Sequence, residues 1–132
     1  MLKNSNSISN NQKTIGKSIT FEGIGLHTGL KSKVKILPSP ANTGINFIRK
    51  DLSGNNKIEA LWSNVVSTKL CTTISNKYEA TVSTIEHLMA VFYGEGIDNI
   101  LVEIDAPEVP IMDGSAFDFV TAIKSFGTQD QN

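Results

Sequence analysis

A single cysteine, Cys71, excludes an internal disulfide in this 132-residue chain and suits a reducing compartment. Arg49 is the only arginine among twelve basic residues, which argues against arginine-based phosphate recognition. A net charge of -1 and a pI near 6.1 leave no basic footprint for nucleic acid, so none is expected as a partner. No apolar run approaches the roughly 18 residues of a membrane span, so no transmembrane segment is expected. The Asn- and Ser-rich start lacks the apolar segment of a secretory signal, and a cytoplasmic location is the default expectation. Histidine is scarce too. His27 and His87 do not readily complete a catalytic zinc site, which usually takes three protein ligands and keeps a fourth position for water.

What is present fits one small globular domain, with 39% hydrophobic and 19% charged residues. Residues 1–12 read as a disordered leader, 13–127 as the domain and 128–132 as a polar tail. Ile15, Ile19 and Phe21 open a strand region that runs into a glycine turn, Gly23 to Gly29. Lys31 to Leu37 alternates as a half-buried strand should, and Ile45 to Arg49 reads as its return after a Pro- and Asn-rich turn. Ile58 to Val66 is ambiguous; Leu70 to Ser75 and Asp98 to Ile104 read as strands. Ile85, Leu88, Met89 and Phe92 lie at i, i+3, i+4 and i+7, one helical stripe that ends at Gly94 and Gly96. A second helix is expected with Ser115 as N-cap, Phe119, Ile123 and Phe126 on its buried side, and Gly127 just past its end. The expected fold is α+β, a two-layer sandwich of a mixed β-sheet with two helices packed on one face.

Chemistry concentrates at Glu86-His87, in the first turn of the first helix. Such a pair suits hydrolytic zinc chemistry, with the imidazole binding metal and the carboxylate taking a proton from water. A structural reading competes. Ser83-Thr84-Ile85-Glu86 has the S-x-x-E form of a capping box, in which the glutamate reaches back to the N-cap amide. At 3.6 residues per turn, His87 points roughly 160–200° from the apolar stripe. Ala90, Val91 and Gly94 surround that side, where small residues would allow another domain or subunit to approach.

Four segments carry a family resemblance: Gly25-Leu26-His27-Thr28-Gly29, Leu70-Cys71-Thr72-Thr73, Ser83-Thr84-Ile85-Glu86-His87-Leu88 and Pro110-Ile111-Met112-Asp113-Gly114-Ser115. Gly96-Ile97-Asp98-Asn99 lies between the last two with matching spacing. From about Gln12 to Phe126 the chain resembles the N-terminal domain of the UDP-3-O-acyl-N-acetylglucosamine deacetylases, the zinc amidases of lipid A biosynthesis. The resemblance implies that His87 is a zinc ligand and Glu86 the general base in removal of the N-acetyl group as acetate. It implies that Leu70 and Cys71 line the mouth of the active site and that His27 lies near the substrate, a UDP-linked acylated N-acetylglucosamine. A second domain of similar architecture is implied to supply the remaining zinc ligands, another catalytic histidine and most of the nucleotide contacts.

Nothing after Phe126 resembles that second domain, and Lys69 stands where an apolar residue is expected before the Leu-Cys pair. The expectation is thus the N-terminal half of the enzyme, inactive without its C-terminal half. Each residue also has a plainer reading. His27 suits a surface turn, and Cys71 suits a small buried hydrophobe with no partner to activate its thiol. Asp105, Glu108 and Asp113 resemble a carboxylate cluster, yet their Pro and Asp-Gly neighbours are ordinary turn chemistry. A non-catalytic binding module of the same fold is the alternative, and a nucleic-acid module a third class that rests on fold analogy alone.

Overall fold

The computed structural model describes residues 11–131. A leader over 1–12 therefore lies outside the described residues, except that Gln12 already opens a strand. The strands run β1 (Gln12–Ile15), β2 (Ile19–Ile24), β3 (Lys31–Pro38), β4 (Ile45–Arg49), β5 (Lys57–Glu59), β6 (Val65–Ser67), β7 (Thr73–Ser75), β8 (Thr81–Ser83), β9 (Ile100–Ile104) and β10 (Thr128–Gln131). Helix α1 (Glu86–Gly94) lies between β8 and β9, and α2 (Phe117–Phe126) between β9 and β10. The ambiguous stretch Ile58 to Val66 resolves into β5, a 3-10 turn at Trp62–Asn64 and the start of β6.

A five-stranded sheet in the order β2-β3-β9-β4-β5 forms one layer. It is mixed: β9 runs antiparallel to β3 and parallel to β4. Alternation sends Ile19, Phe21, Val34, Ile36, Val102 and Ile104 to one face, where they are buried with Leu88 and Phe92 of α1 and Phe119 and Ile123 of α2. The rings of Phe21 and Phe119 meet edge to face at 4.7 Å, which fixes α2 on the sheet. The α+β expectation, two helices on one face of a mixed sheet, is what the molecule shows. A second, three-stranded sheet, β6-β7-β8, leads directly into α1.

Four local expectations are corrected. Val91 is buried and joins the core, so the His87 side of α1 offers Ala90 and Gly94 but not Val91. Phe126 is exposed at the last turn of α2. Ser115 is not the N-cap of α2; that position is Ala116, although the Ser115 hydroxyl accepts the Phe117 amide at 3.2 Å. The polar segment 128–131 is a strand, because β10 pairs antiparallel with β1.

Asn99 sews that ribbon to the sheet. Its side chain donates to Gln12 and Gln131 at 2.7 and 2.9 Å and accepts the amides of Thr43 and Gly44 at 3.1 and 2.8 Å. Arg49 is buried, forks onto Asp51 at 2.8 and 2.7 Å, and donates to the Thr81 carbonyl. It thereby ties β4 to β8, the strand that enters the site.

Candidate active site

Glu86 and His87 occupy the first two positions of α1. Ile85 is the N-cap, with helical backbone and no side-chain capping bond. The capping box is therefore absent: the Ser83 hydroxyl pairs with Thr73 Oγ1 at 2.9 Å, and Glu86 is exposed with no hydrogen bond among the described residues. His87 is half-buried and likewise makes none. Neither side chain of the pair has a hydrogen-bond partner among the described residues.

The approach to α1 is held unusually. Thr84 has φ 61°, a left-handed conformation that is sparsely populated for a β-branched residue and costs about 1–3 kcal/mol. Two sets of bonds impose it. The Thr72 carbonyl accepts the Thr84 amide at 2.9 Å and the Ile85 amide at 3.4 Å, which lays the Leu70–Thr73 segment against the helix entry. From the other side, the Thr84 hydroxyl donates to Glu108.

Glu108 is the hub of this region, with a side chain only 1% exposed. Its carboxylate accepts the backbone amides of His27 and Thr28 at 3.0 and 2.8 Å, the Nδ1 of His27 at 2.8 Å, and the Thr84 hydroxyl. Burial alone would push this carboxyl up. The Thr84 hydroxyl, the Thr28 amide and the His27 ring overcome that effect and hold its pKa down at about 2. Backbone bridges Gly25 to Pro110 and Ser83 to Glu108 pin the same loop to the glycine turn and to β8.

Asp113 belongs to the rim of the site. The hydroxyl and amide of Ser115 lower its pKa, and the His87 ring lies near enough to contribute in the same direction. Its bonds to Ser115 orient the chain just before α2, in keeping with the turn chemistry read from its sequence context.

The segments that carry the sequence-predicted residues meet at the entry to α1. His27 and the Thr72 end of the Leu70-Cys71-Thr72-Thr73 segment both meet Thr84, two residues before Glu86 and three before His87. Leu70 is 81% exposed, free to touch a ligand or another surface; Cys71 is partly buried with Sγ 3.9 Å from Thr73 Oγ1. Concavities elsewhere, one lined by Asn55, Asn76 and Tyr78 and another by Lys33, Lys35 and Glu103, contain neither Glu86 nor His87. Sequence reasoning named Glu108 only within a carboxylate cluster discounted as turn chemistry, and gave Thr84 no role of its own. Thr84 sat within a recognised motif, whereas Glu108 was masked by flanking prolines.

The LpxC family profile, UDP-3-O-acyl N-acetylglycosamine deacetylase, matches residues 12–132. The chain belongs to this deacetylase family. Among curated relatives it is similar to the UDP-3-O-acyl-N-acetylglucosamine deacetylase of Geobacter sp. (strain M21), 58% identical over 118 residues. It is also similar to the enzyme of the same name from Shewanella pealeana, 47% identical over 121 residues. These matches take in 89% and 92% of this chain but 38% and 40% of the relatives. The chain thus spans about two-fifths of the length of the deacetylases it matches.

The donor set fits only a share of a metal site. His87 offers an imidazole with no competing hydrogen bond, and Glu86 a carboxylate beside it. Among the described residues no group of three His, Cys, Asp or Glu side chains could hold an ion. Three ligands on one centre would require side chains from outside these residues.

Proposed function

We propose that this chain is the N-terminal portion of a zinc-dependent deacetylase that removes the N-acetyl group of a UDP-linked 3-O-acyl-N-acetylglucosamine in lipid A biosynthesis. The observation that carries the reading is the Glu86-His87 pair, uncapped and unbonded at a helix entry that a saturated carboxylate hub and a strained threonine hold in place. Names printed for the relatives supply the substrate class.

His87 would contribute one zinc ligand, and the part of the relatives that this chain does not span would contribute the others. When bound, zinc polarises a carbonyl and lowers the pKa of water towards about 7. Glu86 accepts the proton from the attacking water and can return it to the departing amine, which needs a heavy-atom approach of about 3 Å. Its solvent-facing first-turn position allows that approach. His27, held at the rim, binds substrate, and Leu70 and Cys71 line the mouth. Exposed Tyr93 on α1 and Phe117 on α2 are apolar surface of the kind a C-terminal half would cover.

Acetate release by the enzyme that unites this domain with its C-terminal portion tests the reading. Glu86→Ala should cut kcat by roughly 10²–10⁴ while zinc content stays at wild type. His87→Ala should lose zinc as well. A Glu86→Ala enzyme of unchanged rate would favour the non-catalytic binding module.

A further inference from the structure

Glu108 takes part in none of the chemistry above, yet it is a buried carboxylate with every acceptor position used. An ionised carboxylate only accepts. The His27 nitrogen 2.8 Å from its Oε2 must therefore carry the hydrogen, since an unprotonated Nδ1 would set two lone pairs against each other. The His27 and Thr28 amides fix the backbone of the turn on the same carboxylate, which holds the base of the ring beside it. The other ring nitrogen, Nε2, has no partner among the described residues, and the side chain is 35% exposed.

We infer that Glu108 is a positioning residue that locks His27 in the Nδ1–H tautomer. It thereby presents Nε2 as a fixed hydrogen-bond acceptor for a ligand hydroxyl or amide, in register with the start of α1. The register comes from Thr84, whose hydroxyl shares Oε2 with the His27 ring. A second observation supports the arrangement. A Cβ on Gly25 would collide with Glu108 Oε1 and with Thr28 Oγ1, although Gly25 itself has no left-handed backbone. Glycine is needed there to make room for the carboxylate. The class of group recognised follows from the tautomer: a neutral His27 so held accepts from hydroxyls and amides, which a sugar or a sugar-linked amide supplies.

That this acceptor serves the deacetylase substrate rests on the proposed function; the tautomer itself does not. Long-range ¹H–¹⁵N correlation spectra of the chain, read at the alkaline end of a pH titration, report which His27 nitrogen is protonated. The wild type should show protonated Nδ1 and bare Nε2. In Glu108→Gln, the amide keeps one oxygen for the backbone donors but turns an N–H₂ toward the ring, so His27 should switch to the Nε2–H form. Gly25→Ala disturbs the carboxylate from its other side and should move the tautomer ratio in the same direction. A wild-type ring in the Nε2–H form overturns the inference, and that spectrum needs no variant to fold. Unchanged ratios in both variants overturn it equally. An inactive assembled enzyme would count against the deacetylase reading and leave the tautomer result standing.

Discussion

At the scale of single residues, ionisation of Glu108 links stability to pH. Its folded pKa of about 2 lies below the ordinary glutamate value of 4.5. A depressed carboxylate pKa contributes stability above the unfolded value, and that contribution fades as pH falls from about 4.5 towards 2. Integrated over the shift it is worth ~3 kcal/mol. Urea midpoints for the wild type should therefore fall steeply across that window, and those of Glu108→Gln should be flatter; parallel curves would remove Glu108 from the acid limb. Glu86 and His87 were legible as a candidate pair because they are adjacent in the sequence and open one helix. Glu108 was not, because its partners lie 81, 80 and 24 residues away and no local pattern announces them. The capping-box reading of Glu86 failed for a related reason: Ser83 was already engaged by Thr73, and Thr84 turned left-handed.

Elements were legible where side chains alternate or recur. β3, β9 and α1 carry their burial pattern openly, because each sends apolar residues to one face at period 2 or 3.6. β8 and β10 do not. β8 is three residues long, and β10, Thr-Gln-Asp-Gln, has no apolar face at all. It is held by backbone pairing with β1 and by the Asn99 amide, interactions that composition cannot reveal. Asn99→Ala should accordingly cost about 2–4 kcal/mol, since it strands two backbone amides and two glutamine side chains that share one buried group. Denaturant unfolding checks this, and a loss below about 0.5 kcal/mol would show that water replaces the network. Arg49→Lys should also destabilise β8, because an ammonium cannot reproduce the fork onto Asp51 while reaching the Thr81 carbonyl.

Across the whole molecule, the sheet and its two helices form a platform whose exposed helix entry carries one imidazole and one carboxylate. The platform spans about two-fifths of the relatives' length, and the described residues hold no complete set of metal ligands. On the proposed function the centre is shared: the chain would set the base and one ligand, and the rest of the enzyme would supply the others. No helix among the described residues is long and apolar enough to cross a membrane. Calorimetric titration of zinc into the isolated chain, compared with the two-part enzyme, tests this account most directly. Weak, non-stoichiometric binding by the chain alone is predicted, rising to one tight zinc in the two-part enzyme and lost with His87→Ala. Tight one-to-one binding by the isolated chain, undiminished in His87→Ala, would contradict a centre shared through His87.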